Sequence, residues 1–435
     1  MKRFNKNFSI KDINLLKSQL LHWCQEQDVF YWLDSNNHID SYSSYDAILA
    51  VGENCSITLD TTTNAFNLLN DFQKANNDFL FGFLTYDLKN DIENLTSNNC
   101  DRLKFPNLYF FQPKKLIFIK NNIVTFSYLN EFKTELESDF QSISTQLINL
   151  KESENSIKEK EIKQRISKKS YLKKCNQLLE RIHRGDIYEI NLCMEFFLEQ
   201  RKINPLKIFT KLNSISSAPF SCFIRHHNLF LCSSSPERYI KKIGQKVISQ
   251  PIKGTAKRGI SEVQDTALKN ELINNPKERS ENIMIVDLVR NDLSKTAIKG
   301  SVKVEELCGI YTFKQVHQLI STVSSEIPIE TEPITILKNT FHMGSMTGAP
   351  KISAMKIIEE VEETKRGLYS GSVGYFTPDG DFDFNVVIRS ILHNSDNQYT
   401  SFSVGSAITT LSNPKKEYEE CLMKGKAMKQ VLTEA

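Results

Sequence analysis

The chain has 435 residues, a formal net charge of +3, 25% charged residues and 40% apolar ones. Those proportions suit a soluble globular protein with a large core. The near balance of charge, with no basic arm carrying aromatics, argues against a nucleic-acid partner. No apolar run approaches the roughly 20 residues that span a bilayer, and the first twenty residues contain no continuous apolar stretch of a signal peptide. Nine cysteines are scattered without a CxxC pair or a His/Cys cluster. That pattern speaks against a zinc site and for a reducing compartment, so a cytoplasmic protein is expected.

Residues 1–150 alternate short apolar strands with polar turns, most clearly at 30–33 and 79–84. Residues 151–169 are charged and nearly without apolar side chains, which predicts a solvated linker before a second region at 170–435. There, apolar spacing predicts a helix over 171–184 ended by Gly185, followed by a strand over 187–197. Hairpins follow, turning at 226–228 and 243–245. Amphipathic helices are expected around 281–295 and 351–363, and a meander of strands at 372–376, 382–393 and 399–407. A last helix runs over about 415–432, and no internal repeat is present. Helices set between antiparallel hairpins predict an α+β layered fold and not a doubly wound parallel sheet.

Several short stretches carry candidate chemistry. Lys253 lies in Pro251-Ile252-Lys253-Gly254-Thr255, and Glu237 lies sixteen residues earlier in Ser235-Pro236-Glu237-Arg238. A lysine and a carboxylic acid at neighbouring strand ends form a nucleophile and proton donor, or Lys253 is one more surface charge. Gly344-Ser345-Met346-Thr347-Gly348-Ala349-Pro350-Lys351 precedes a helix whose free N–H groups suit an anion, or it is a plain helix cap. Glu281 opens a helix after Lys277-Glu278-Arg279-Ser280, either capping it or offering a carboxylate to a hard cation. Glu417, Glu420 and Lys424 share one helical face, which by itself reads as a surface ion pair. Arg389 stands in the apolar run Val386-Val387-Ile388-Arg389-Ser390-Ile391. A buried arginine there either pairs with an acid or clamps a substrate carboxylate, with Tyr375 and Gly405 as candidate neighbours.

Taken together, these motifs resemble the chorismate-utilising enzymes, which include component I of anthranilate synthase and of aminodeoxychorismate synthase and the isochorismate and salicylate synthases. The resemblance runs in consistent order from about 170 to 430 and is looser over 1–150. It implies two stacked, mainly antiparallel sheets flanked by helices, with the N-terminal segment woven into the same body. PIKGT is similar to the members that make 4-amino-4-deoxychorismate for p-aminobenzoate and folate; most others carry alanine at the lysine position. The resemblance then implies that Lys253 attacks C2 of chorismate and that Glu237 protonates the leaving C4 hydroxyl. It further implies Mg²⁺ on Glu281 and Glu420, and substrate binding by Arg389, Tyr375, Gly405, Lys424, Thr347 and Gly348. Such roles need Glu237 protonated, which burial favours, and Lys253 deprotonated, which burial or neighbouring cations favour.

Two positions depart from the family pattern. Gln318 stands where a histidine is usual, and His317 faces the opposite way on a strand. Glu189 stands where water-using members carry lysine and amide-forming members usually glutamine. The chain shows no cysteine in a nucleophile setting, so ammonia is expected from a glutamine amidotransferase partner. Leu33-Asp34-Ser35 is a hint of the tryptophan bound by some relatives. The rival readings are anthranilate synthase component I, which Lys253 opposes, and a catalytically silent partner-binding homologue, which the intact acids, lysine and arginine oppose.

Overall fold

The structure is a computed structural model that describes residues 2–38, 40–146 and 161–434. The chain begins β1 (Arg3–Ser9), α1 (Ile13–Trp23), β2 (Val29–Asp34), β3 (Ala47–Leu59), α2 (Ala65–Ala75) and β4 (Leu80–Leu84). It continues α3 (Lys89–Ile92), β5 (Leu108–Lys120), β6 (Ile123–Leu129) and α4 (Leu136–Thr145). Of the charged linker expected at 151–169, residues 151–160 lie outside the described residues. Beyond them come β7 (Lys163–Gln164), α5 (Lys168–Arg184), β8 (Glu189–Leu198), α6 (Pro205–Ser216), β9 (Phe220–His226) and β10 (Leu229–Ser235). Next are β11 (Arg238–Ile243), β12 (Lys246–Gln250), β13 (Ile252–Lys257), α7 (Glu262–Asn274), α8 (Pro276–Ser294), β14 (Lys303–Thr312) and β15 (Val316–Glu326). The chain closes with α9 (Pro333–Thr340), β16 (Gly348–Ala349), α10 (Lys351–Val361), β17 (Ser372–Phe376), β18 (Phe382–Asn385), β19 (Ser390–Asn394), β20 (Tyr399–Ile408) and α11 (Pro414–Glu434).

Helix boundaries follow local chemistry. Ser167 caps α5 by accepting from the Ser170 N–H, and Gly185 ends it at φ 88°, where a side chain would be strained. Asn275 caps α8 by accepting from the N–H groups of Lys277 and Glu278, with Pro276 in the first turn.

The strands pair antiparallel in two layers. One runs β1-β6-β5-β3-β2-β9-β10-β19-β20-β8, with β7 and β16 on the free edge of β8. The other runs β4-β17-β18-β11-β12-β15, with β13 and β14 also on β15. They join at β5, whose Leu108–Phe111 stretch pairs with β4 while its later residues pair with β6. Alternation of side chains explains the stacking. From β2, Val29 and Tyr31 enter a core that also takes Phe81 and Phe83 of β4 and Val373 and Tyr375 of β17, so this core fills the space between layers. Phe30 and Trp32 point the other way, into the core beneath α1, α5, α6, α10 and α11. A third core lies under α2, α8 and α9 on the far side of the second layer. Each fully buried aromatic of this kind contributes about 2 kcal/mol of apolar burial.

One expected element is corrected. Residues 382–393 do not form a single strand: β18 belongs to the second layer and β19 to the first. Residues 386–389 carry the chain between them, and Arg389 there has φ 52°, a left-handed conformation unusual for a side-chain-bearing residue. The segment from β10 to β11 makes the same crossing, with Glu237 in it, and the Val386 N–H donates to the Glu237 carbonyl. Two candidate site residues thus stand at adjacent crossings between layers. Among the described residues, no helix is long and apolar enough to cross a membrane.

Candidate active site

A cavity of about 220 Å³ opens where these crossings meet β8, β13, β20, α8 and α11. Its walls include Glu237, Lys253, Glu281, Arg389, Gly405, Glu420 and Lys424. The two candidate groups for bond making and breaking are tied together by backbone. Glu237 Oε1 accepts from Ser345 Oγ at 2.7 Å and from the N–H of Ile252, the residue before Lys253, at 3.5 Å. Burial pushes the Glu237 carboxyl up to about 7, against the opposing pull of Ser345, the Ile252 N–H, Lys253 and Lys424. It is therefore substantially protonated at neutral pH, as a proton donor must be.

Lys253 differs from expectation. Burial alone would strip its proton, but Glu189, with Glu281 and Glu420 farther off, overcomes burial and holds its pKa above the ordinary lysine value. Its neighbours are anions and not cations: Lys253 Nζ lies 2.8 Å from Glu189 Oε1, and Glu189 is fully buried. Position 189 thus carries the counter-charge of the candidate nucleophile.

Glu281 on α8 and Glu420 on α11 bring carboxylates to the cavity from separate helices, joined by Glu278. Glu281 Oε1 is buried without a hydrogen-bond partner, and Glu417 Oε2 behind it is likewise unpaired. Burial pushes Glu281 up to about 7, with Lys253 and Lys277 opposing the shift. Lys277 bridges Glu281 at 3.6 Å and Glu417 at 3.1 Å. No three carboxylate, histidine or cysteine side chains among the described residues are grouped to hold an ion by themselves. Two protein carboxylates with an orphaned oxygen fit Mg²⁺, which takes its remaining ligands from substrate and water.

The cations form a second set. Arg389 is half-buried against the cavity, and no carboxylate of the described residues lies in ion-pairing distance of it; its NH1 reaches only the Lys424 carbonyl at 3.5 Å. A desolvated guanidinium facing open space is a carboxylate receptor. Lys424 Nζ donates to the Gly405 carbonyl at 2.9 Å and pairs with Glu420 at 2.6 Å. The Glu–Lys pair expected on the helix surface therefore lines the cavity. Gly405 belongs there because a Cβ would meet Cys193 Sγ at 2.7 Å.

Three residues expected to bind substrate stand elsewhere. Tyr375 lines a second cavity of about 80 Å³, with Leu33, Asp34, Ser35 and Arg238, because its β17 position points between the layers. Thr347 is buried with its hydroxyl donating to the Met343 carbonyl. Gly348 pairs with Ile190 in the β16–β8 ladder, and a Cβ on it would lie 2.1 Å from the Glu189 carbonyl at φ 145°. The first turn of α10 is also outside the cavity walls, and Lys351 is turned to Asp292. Gly348→Ala is expected to destabilise the protein by about 1–3 kcal/mol through overpacking, read from chemical denaturation; an unchanged midpoint would contradict the close approach.

Other lining residues were given no site role by the sequence. Ser345, Tyr369, Asn191 and Glu278 line the cavity. Ser345 lies within a stretch already singled out, whereas Tyr369 had no signal in the sequence. Gln318 faces the cavity with a buried, unpaired Oε1. His317 faces away, with its ring nitrogens against Thr312 Oγ1 at 2.9 Å and Asp265 at 3.0 Å.

The family model described as chorismate binding enzyme matches residues 27–430. The chain belongs to that family. Among its chorismate binding relatives, the aminodeoxychorismate synthase component 1 of Bacillus subtilis is 32% identical over 391 residues, covering 86% of this chain and 80% of that protein. The Escherichia coli protein of the same name is 37% identical over 59% of this chain and 56% of its own length. A probable chloroplastic aminodeoxychorismate synthase of rice is 38% identical over 62% of this chain, which spans only 30% of the rice protein. Among solved structures, anthranilate synthase component I of Streptococcus pneumoniae has a TM-score of 0.76 at 23% identity, over 90% of this chain and 94% of that one. The menaquinone-specific isochorismate synthase of Escherichia coli also has a TM-score of 0.76, at 16% identity over 99% and 94%. At these identities the two structures establish the fold.

Proposed function

We propose that this chain is the chorismate-aminating component of aminodeoxychorismate synthase, replacing the C4 hydroxyl of chorismate with an amino group. The product, 4-amino-4-deoxychorismate, would feed p-aminobenzoate and folate synthesis. The observation that carries the reading is Lys253 Nζ in the same cavity as a Glu237 carboxyl raised to about 7. Family members that do not aminate at C4 mostly carry alanine in place of that lysine.

In this reading Arg389 and Lys424 receive the two substrate carboxylates, and Tyr369 supplies the hydroxyl expected from Tyr375. Lys253 forms the bond to C2, and Glu237 delivers its proton to the departing hydroxyl, a poor leaving group without one. Glu281 and Glu420 would hold Mg²⁺, which when bound neutralises a substrate carboxylate in a dry site. Gly254 and Thr255 extend the same wall.

Ammonia then attacks C4 and displaces the lysine. We assign its supply to a separate glutamine amidotransferase; the name component 1 on the bacterial relatives supports a second component. Within this chain every cysteine except Cys55 and Cys100 is buried. Nine free thiols also support the cytoplasm as the compartment. A tryptophan of the kind hinted at by Leu33-Asp34-Ser35 would sit in the smaller cavity that those residues line.

The test is purified protein with chorismate, Mg²⁺ and ammonium. The expected product releases p-aminobenzoate only after a separate lyase is added. Direct appearance of fluorescent anthranilate would overturn the assignment.

A further inference from the structure

We propose that Glu189 is a catalytic base in this site: it takes the proton that Lys253 must shed before attacking the ring, and returns it when the lysine is released. The inference rests on the aminating role proposed above.

The geometry is specific. Glu189 and Lys253 are in contact at 2.8 Å, and neither has another ion-pair partner among the described residues. Apart from that contact, both Glu189 carboxylate oxygens are buried without a hydrogen-bond donor. The backbone holds the group in place. Ala349 of β16 is registered opposite Glu189, and the next residues of β8 pair with β20 on the other edge. Asn282 fixes the other partner by donating to the Lys253 carbonyl at 3.2 Å. The charged groups facing Lys253 are Glu189 from β8, Glu237 from the β10–β11 crossing, Glu278 and Glu281 from α8 and Glu420 from α11; Glu189 in turn faces Glu281. Among the described residues, only Glu189 lies within ion-pairing distance of Nζ.

An ammonium group has no lone pair to donate, so the resting ion pair is unreactive. Transfer within the pair leaves a neutral amine and a neutral acid, the forms that burial favours. Glu237 cannot serve instead, because it must keep its proton for the leaving group. Two carboxyl groups in different surroundings thereby divide the acid and base work.

The protons balance. The freed amine bonds to C2, the ring double bonds shift, and the C4–O bond breaks as Glu237 supplies a proton to make water. Ammonia then bonds to C4, the double bonds return, and the C2–N bond breaks to give a neutral lysine. Glu189 returns its proton to that lysine, and Glu237 regains one from the new C4 ammonium. The sum is chorismate plus ammonia to aminodeoxychorismate plus water.

The test follows formation of the Lys253 adduct with chorismate and Mg²⁺, without ammonia, by rapid quench and intact-protein mass. Wild type, Glu189→Gln and Glu189→Asp are compared across pH. Glutamine can still hydrogen-bond the lysine but cannot take its proton. E189Q should form adduct about 100-fold more slowly at neutral pH. It should also gain an acid-side limb rising about tenfold per pH unit, because the proton must now leave to solvent. E189D should keep the wild-type pH shape at a lower rate. An E189Q profile matching wild type, or an E189D profile matching E189Q, would overturn the role of Glu189 while leaving the aminating reading in place. A wild-type protein that makes no aminodeoxychorismate with ammonium would overturn that reading and this inference with it.

Discussion

Lys253→Ala is expected to lower aminodeoxychorismate formation with ammonium by about a thousandfold or more, roughly 4 kcal/mol of barrier. The variant deletes the proposed nucleophile and also strands Glu189 in a fully buried position. Removing one partner of a buried pair costs about 3–5 kcal/mol unless the survivor is neutralised. The variant should therefore melt lower than wild type. Lys253→Ala combined with Glu189→Gln removes both charges, so the double variant should regain stability and stay inactive. Steady-state rates and thermal melts of the two proteins separate lost chemistry from lost fold. A double variant with restored activity would remove Lys253 from the reaction.

Glu237→Gln carries the second large effect. Loss of a positioned general acid should slow turnover about 10²–10⁴-fold. In the wild type, the acid form is needed and its pKa is about 7, so the covalent step should slow as pH rises through that value. Stability falls in the same direction. A carboxyl raised from 4.5 to about 7 in the folded state contributes stability that is full below pH 4.5 and lost as pH rises through 7. The shift is worth about 3 kcal/mol. Glutamine does not titrate, so E237Q should gain about that much on wild type between pH 4 and pH 8, read from denaturant melts at both values. A gain at pH 8 with a loss of turnover would mark Glu237 as a group kept for chemistry at the expense of stability. Equal stability differences at both values would contradict the raised pKa.

The parts of the site visible in the sequence are those carried on contiguous stretches. Lys253 sits in PIKGT and Glu237 in SPER, and both reach the cavity. The family resemblance assigns Glu281, Glu420 and Lys424 to the site; helical spacing puts Glu420 and Lys424 on one face without saying that this face meets a cavity. What escaped depends on how strands are shared between layers. The apolar run around Arg389 looks like one strand, yet its halves pair with different layers, and only tertiary pairing forces the break. Tyr375 was expected at the substrate because it neighbours Arg389 in the meander. Period-two alternation gives it a face but not the layer that face meets, and Tyr369 lines the cavity instead. The ion pair of Lys253 with Glu189 joins strands far apart in sequence, so the sign of the charge beside the lysine was not readable from either motif. Gly348 was expected at the substrate through the resemblance, but what approaches it is the backbone of β8.

The most direct measurement is peptide mapping of protein quenched after mixing with chorismate and Mg²⁺. The account predicts an added mass of chorismate less water on the peptide containing Lys253, lost again when ammonium is supplied and aminodeoxychorismate is released. Aminodeoxychorismate formed at the full rate in a single turnover, with Lys253 never modified and with Lys253→Ala equally fast, would contradict it.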